Sequence, residues 1–201
     1  MKRAFIALSL ALFSSLISQA QDLTAEDRRK AIEFLDHTRN EVLEATKGLS
    51  TAQWNYKPAP DRWSVAQVAE HIAAAEDFLM DMVRDKVMKA PPRTAPADVQ
   101  AVDAFVMQAV PDRSKKVQAP EPLRPTNRFG TPKESLKHFK QSRAKTIQFV
   151  KTTPALREHA VDSPLGKRLD AYEWVLFVAA HSERHKKQID EVKADPNFPK
   201  K

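Results

Sequence analysis

The stretch that decides the predicted fold is DAYEWVLFVAAHSERHKKQIDEVK, residues 170–193. It opens with an aspartate and carries a glutamate three residues later, a spacing typical of a helix N-terminus, and Pro196 follows just beyond its end. Apolar side chains recur at helical spacing and predict one buried face: Trp174, Val178, Ile189 and Val192. His181 and His185 lie on the same face, four residues apart, so both imidazoles are predicted to point into a helical core.

Three more long helices are predicted before this one. The first, 24–48, begins at a threonine cap and ends at a glycine. The second, 64–89, begins with the Ser-x-x-Gln pattern of a capping box and ends before two prolines. The third, 131–153, begins with Thr-Pro-x-Glu and ends before a proline. No segment alternates with a period of two for long enough to predict a strand, so the predicted fold class is an all-α four-helix bundle.

About forty residues rich in proline separate the second and third helices. Within this connection, four residues at helical spacing predict a short extra helix: Val99, Val102, Val106 and Ala109. A connection of this length can cross the length of the bundle, so helices two and three are predicted to run parallel. Whether residues 89–130 form a lid over a site is left open.

The composition excludes several classes of function. The chain has 201 residues with three glycines and no cysteine, so it lacks a Gly-rich nucleotide-binding loop, a nucleophile elbow, a disulfide and a thiolate ligand. The formal net charge is +7, and residues 112–151 hold eleven lysines and arginines. Because aromatic residues are not interleaved there in the way that single-strand binders use them, and because export is expected, a solvated basic face is favoured and no nucleic-acid partner is predicted.

The first twenty residues are predicted to be a signal peptide. Two basic residues precede an apolar stretch of about 14 residues, which ends at the small-x-small sequence Ser18-Gln-Ala20. The mature domain is then 21–201, and the expected location is periplasmic or secreted, without membrane attachment after cleavage. An uncleaved N-terminal anchor is the alternative.

Three of the six histidines are candidates for a metal site. His71 lies at the margin of the buried face of the second helix, where packing against helix four could bring it to His181 and His185. Three imidazoles on one point form a metal site with an open fourth position. The alternative is a pair of partly exposed polar residues. Three others are given no functional role: His37, His138 and His159.

Nearby carboxylates are also candidates, although surface charge is the favoured interpretation. Glu70, Glu76 and Glu183 lie on the same two helices and could orient a histidine or act as a base. Arg184 is interpreted in the same way, as a surface charge on a helix flank. No catalytic residue is assigned from the sequence.

Two stretches resemble the signatures of the DinB-like family. Residues 63–76, WSVAQVAEHIAAAE, are similar to its second helix, and 180–189, AHSERHKKQI, are similar to its fourth. The resemblance covers about 24–192 and implies a bundle of DinB/YfiT type with a long crossover between helices two and three. It further implies that the metal ligands are His71, His181 and His185, and that the metal is zinc or nickel.

Relatives of known activity in that family are thiol-dependent transferases and isomerases that use bacillithiol, mycothiol or glutathione. The resemblance therefore favours an exported metal-dependent transferase or hydrolase with a small-molecule substrate and a thiol as an optional cosubstrate. The alternative is a non-catalytic exported bundle that binds a metal. A homodimer is compatible with either function.

Overall fold

Each α-helix of the described residues begins at a Ser, Thr or Asp side chain that accepts a hydrogen bond from a backbone N–H three residues later. The structure is a computed structural model that describes residues 23–93 and 98–200. The capping boxes predicted at Ser64 and Thr131 are present, and another starts at Asp170. These caps satisfy backbone donors that a helix start otherwise leaves unpaired. The predicted signal peptide, 1–20, lies outside the described residues.

Four long helices form the bundle, as predicted: α1 (Ala25–Ala45), α3 (Val65–Met82), α5 (Pro132–Thr152) and α6 (Ala171–Lys193). A short α2 (Thr51–Asn55) follows α1, and a π-helical turn (Val83–Val87) continues α3. The crossover holds α4 (Val99–Ala109), which confirms the predicted extra helix, and a 3₁₀ turn (Glu121–Leu123). Two short strands, β1 (Ala160–Asp162) and β2 (Arg168–Asp170), precede α6.

The contacts between helices show that α3 and α5 run parallel. Asp77 on α3 bonds His138 and Ser142 on α5, and further along both elements Arg84 lies over the Phe149 ring. Residue numbers therefore rise together on the two helices. This is the parallel arrangement that the long crossover predicts.

The other two long helices form a second parallel pair. The Tyr172 hydroxyl donates to the Asp27 carbonyl near the starts of α6 and α1, and Lys193 donates to the Ala45 carbonyl at their ends. The two pairs run in opposite directions, as the contacts between α1 and α5 show. Arg143 of α5 donates to the Leu35 carbonyl of α1, whereas Val150, further along α5, accepts from Arg28, which is earlier on α1. The bundle consists of two parallel pairs that are antiparallel to each other.

Two details of the sequence prediction are wrong. The first helix ends at Ala45, three residues before Gly48, and Gly48 instead adopts a φ of +67° in the turn before α2. The all-α fold class is confirmed, but the chain also contains a small antiparallel hairpin that the sequence does not predict, with Ala160 opposite Asp170. Strands of three residues are too short to display a period of two, which is why the sequence pattern does not reveal them.

The predicted buried faces make up the core. Side chains from the four long helices that are at most 1% exposed include Leu35, Val42, Val68, Ile72, Phe139 and Ile189. Burial of one such side chain contributes about 1.5–3 kcal/mol before conformational entropy is counted. Within the described ranges, no helix is both long and apolar enough to cross a membrane.

Candidate metal centre

The three predicted histidines meet between α3 and α6. His181 and His185 stand one turn apart on α6, and His71 faces them from α3. Each offers one ring nitrogen, and the three nitrogens lie within 4.8 Å of one another. The predicted convergence is therefore confirmed, and the three histidines given no role lie outside the cluster.

The remaining histidines have other surroundings. His37 is exposed, whereas His138 is half-buried, with its Nε2 2.5 Å from a carboxylate oxygen of Asp77 and its ring stacked on Phe129. His159 pairs with Pro92 in an isolated β-bridge just before β1. None of them contributes to the cluster on α3 and α6.

Hydrogen bonds fix the orientation of two of the three imidazoles. His71 Nδ1 lies 2.8 Å from the Leu123 carbonyl, and His185 Nδ1 lies 2.7 Å from Gln188 Oε1. Both partners are oxygens that only accept, so both Nδ1 atoms carry the proton. The Nε2 atoms of these two rings then present lone pairs.

Those two lone pairs face each other. His71 Nε2 and His185 Nε2 are 3.1 Å apart, a separation at which two unprotonated nitrogens repel unless a cation lies between them. Two imidazoles bound to one tetrahedral zinc ion at about 2.0–2.1 Å would place their nitrogens roughly 3.3 Å apart. The donor set and its spacing therefore fit a divalent metal ion.

Protonation of the cluster is disfavoured by its surroundings. His71 and His185 are only 3% and 8% exposed, and His181 is half-buried. Burial lowers the pKa of His71 below its ordinary value, and burial together with the neighbouring imidazoles lowers the pKa of His181 and His185 further. The Trp63 ring packs against the His71 ring, and the two ring centroids are 4.9 Å apart. The site thus holds neutral imidazoles, which is the form that binds a metal.

Glu70 is not a surface charge, and this part of the sequence interpretation is wrong. It is 5% exposed, and its carboxylate accepts the backbone N–H groups of Thr126, Asn127 and Arg128 at 2.8, 2.9 and 3.0 Å. These bonds attach the crossover to α3 immediately beside His71. Local sequence carries no signal for such a contact because the partners are 56 to 58 positions away.

Glu76 is not a surface charge either. It is 2% exposed and forms a two-pronged ion pair with Arg143, which is fully buried although the sequence predicted a solvated basic face for its stretch. The helical spacing held a signal, since Arg143 lies four residues after Phe139 and three before Thr146 on the buried side of α5.

Of the other two charged residues considered in the sequence, Glu183 is a surface charge and Arg184 is not only that. Glu183 is partly exposed and pairs with Lys187 on the same helix, as the surface interpretation predicts. Arg184 instead donates to the carbonyls of Val110, Asp112 and Lys115, and so ties the segment after α4 to α6. The crossover therefore lies against the helix that carries two of the histidines.

A family model confirms the resemblance suggested by the two helix motifs. The model of the DinB superfamily matches residues 35–189, most of the chain. The chain belongs to the DinB superfamily. All three clustered histidines fall inside the matched range.

A curated protein and a solved structure are among those similar to this DinB-superfamily protein. The uncharacterized protein YuaE of Bacillus subtilis (strain 168) is 26% identical over 163 residues, covering 80% of this chain and 95% of YuaE. YfiT of Bacillus subtilis matches with a TM-score of 0.60 at 14% identity, covering 89% of this chain and 93% of YfiT. YfiT is described as "a probable metal-dependent hydrolase with an unusual four-helix bundle topology". At this identity the match shows the shared fold.

Proposed function

We propose that this DinB-superfamily protein is a metal-dependent enzyme whose single divalent ion is held by His71, His181 and His185. The observation that carries the proposal is the distance of 3.1 Å between Nε2 of His71 and Nε2 of His185. Because the Nδ1 atom of each ring already donates its proton to a carbonyl oxygen, both Nε2 atoms present lone pairs. Burial disfavours a proton between them, so a metal ion is the cation that best accounts for the arrangement.

The donor set favours catalysis over a purely structural ion. Three neutral nitrogen ligands leave one position of a tetrahedral site open, whereas structural sites are filled by four protein ligands. When bound, zinc or nickel would act there as a Lewis acid that lowers the pKa of a water or thiol. Hydrolysis is supported by the description of YfiT, and thiol transfer by the helix-motif resemblance.

The chain's own residues prepare the site for this chemistry. The Leu123 carbonyl and the Gln188 side chain hold two imidazoles in one tautomer, with Nε2 free. The Trp63 ring packs against the His71 ring, with centroids 4.9 Å apart, and Phe177 lies nearly parallel to the His181 ring, with centroids 6.3 Å apart. Because His181 is the most exposed of the three, we place the approach of a small-molecule substrate on its side.

A non-catalytic metal-binding bundle is the second candidate. It is favoured by the low exposure of His71 and His185, 3% and 8%, which restricts access to a bound ion. Both candidate functions predict metal binding, but only the enzyme predicts catalytic turnover.

The experiment measures metal content and turnover in one preparation. Protein purified without chelators is analysed by mass spectrometry for zinc and nickel, then assayed for ester and amide hydrolysis and for conjugation of low-molecular-weight thiols. Turnover that is lost on chelation, restored by the metal and absent in His185→Ala supports the enzyme. Stoichiometric metal without turnover on any of these substrates supports the second candidate, and turnover that survives both chelation and His185→Ala contradicts the proposal.

We further propose that the protein is exported to the periplasm or secreted. The basic, apolar and small-x-small order of residues 1–20 supports this. Mass spectrometry of the protein from its native cells should find an N-terminus near Gln21. A chain that retains Met1 would contradict cleavage.

A further inference from the structure

Glu70 is a buried carboxylate that accepts hydrogen bonds from three successive backbone amides. Thr126, Asn127 and Arg128 donate to it, and Asn127 adopts a left-handed φ of +65°. Successive N–H groups around a left-handed residue form a concave nest that binds anions. Here the anion is a side chain of the protein itself, and it fastens the crossover to α3.

The fastened segment is the one that reaches the metal centre. Three residues before Thr126, the Leu123 carbonyl accepts the Nδ1 proton of His71. The segment between them is closed by Arg128, whose guanidinium donates to the carbonyls of Pro122 and Arg124. The loop 122–128 is therefore a compact unit with two attachments to α3, one at Glu70 and one at His71.

We propose that Glu70 is a positioning residue of the histidine site. By holding the 126–128 amides, it keeps the Leu123 carbonyl against His71 Nδ1 and so keeps His71 Nε2 directed at the other two histidines. The effect on metal affinity rests on the proposed function, whereas the effect on the His71 tautomer follows from the chain alone.

His185 serves as a control for the effect of Glu70 on His71. His185 takes the same tautomer as His71, but its Nδ1 partner is Gln188 on its own helix. Loss of Glu70 should therefore release the tautomer of His71 and leave that of His185 unchanged. A general loss of structure on replacing Glu70 would instead affect both rings.

Reciprocal coupling follows from the same geometry. If docking of the loop favours the metal-binding form of His71, then metal binding must favour docking of the loop by an equal free energy. The amides of 126–128 should then exchange with solvent more slowly when zinc is bound. This coupling makes the crossover a part of the site.

The test compares Glu70→Gln with Glu121→Gln, an exposed carboxylate in the same crossover. Nitrogen-15 NMR of the metal-free proteins reports the tautomer of each histidine. In Glu70→Gln, His71 should become a mixture of tautomers while His185 keeps its proton on Nδ1, and both rings should be unchanged in Glu121→Gln. A His71 tautomer that stays fixed in Glu70→Gln would overturn the proposal.

Zinc affinity is measured on the same proteins by competition with a chromophoric chelator. Glu70→Gln should bind zinc about 10–100-fold more weakly than the wild type, as is usual for partners that orient a ligand, and Glu121→Gln should stay within about twofold. Unchanged affinity in Glu70→Gln would also overturn the proposed role. If the wild type binds no zinc, the proposed function fails while the tautomer measurement still decides the role of Glu70.

Hydrogen exchange on the wild type covers the case in which Glu70→Gln does not fold. The exchange rates of the 126–128 amides are measured with and without zinc. Slower exchange with zinc supports the coupling, and identical rates contradict it.

Discussion

Arg143 and His185 are both polar residues buried in the same bundle, but their surroundings differ in one respect. Arg143 donates to Glu76, Ser182, Thr38 and the Leu35 carbonyl, so its guanidinium has a protein acceptor on each side. His185 satisfies only its Nδ1 within the protein, and its Nε2 faces the lone pair of another imidazole. The first arrangement is complete without a ligand, whereas the second needs a cation.

This difference separates a polar cluster that is fully paired within the protein from one whose donor atoms suit a cation. Buried groups that are fully paired cost little once folded, while a group left unpaired costs about 1–3 kcal/mol. Through its guanidinium, Arg143 on α5 is hydrogen-bonded to the other three long helices, to side chains of α3 and α6 and to a backbone carbonyl of α1. In the histidine cluster, ring nitrogens without a hydrogen-bond donor face one another across a short distance. This is the pattern expected where a metal binds.

The largest effect is expected from breaking the complete cluster. Arg143→Ala leaves Glu76 buried without its partner, so the free energy of unfolding should fall by about 3–5 kcal/mol. Urea denaturation followed by circular dichroism measures this. The matched control is the double variant Glu76→Gln/Arg143→Met, which removes both charges and should be more stable than Arg143→Ala. A single variant as stable as the wild type would show that the pair does not hold the core.

A smaller loss of stability is expected from a change at Ser182, where the residues around Arg143 and the histidine cluster are adjacent in sequence. Ser182 follows His181 directly, but its hydroxyl accepts from Arg143 at 2.8 Å. Ser182→Ala should reduce the free energy of unfolding by about 1–3 kcal/mol through loss of a bond to a charged group, with no change in metal affinity. Urea denaturation and zinc titration of the same sample test both parts. A large loss of zinc affinity would show that the clusters are not independent.

The pH dependence of the metal-free protein distinguishes the clusters further. Because burial lowers the pKa of His181 in the folded protein below its unfolded value near 6.5, the unfolded chain binds more protons as the pH falls. That contribution to stability is present above about pH 6.5 and is lost as the pH falls below it. The wild type should therefore lose more stability than His181→Ala between pH 7.5 and pH 5.

The comparison with His181→Ala matters because another buried group acts in the opposite direction. Burial and the charge of Asp170 raise the pKa of Glu173, so its contribution weakens as the pH rises. This contribution is common to both proteins and cancels in their difference. Equal losses of stability in the two proteins would show that His181 is not held neutral by the fold.

The sequence predicts the histidine cluster better than the Arg143 cluster, and the reason is physical. His181 and His185 are one turn apart, and the apolar residues on both sides show that their face is buried. His71 requires only that α3 packs against α6. The caps at Ser64 and Thr131 are local patterns too, and the structure contains both.

What the sequence does not predict depends on contacts between distant segments. The pairing of Glu76 with Arg143 spans 67 positions, and that of Glu70 with the 126–128 amides spans 56 to 58. Carboxylates on a helix are usually exposed, so a single sequence favours the surface interpretation. The hairpin before α6 is invisible for a different reason, since each strand has only three residues.

The smallest effect on stability is expected from His181→Ala, although this variant should lose metal binding completely. The bundle's apolar faces hold the fold without a metal, so the helical circular dichroism signal should persist in this variant and in the chelated wild type. The free energy of unfolding at pH 7.5 should stay within about 1 kcal/mol of the metal-free wild type, because alanine there removes a polar group from a half-buried position. Loss of most helical signal on chelation would instead make the metal structural.

Titration calorimetry of the metal-free wild type with zinc and with nickel at pH 7.5, in parallel with His181→Ala, tests the central claim most directly. One ion per chain should bind to the wild type, with a pH dependence that weakens binding as the imidazoles protonate, and none should bind at that site in His181→Ala. Absence of binding in the wild type, or unchanged binding in His181→Ala, would contradict the assignment of the three histidines as a metal centre.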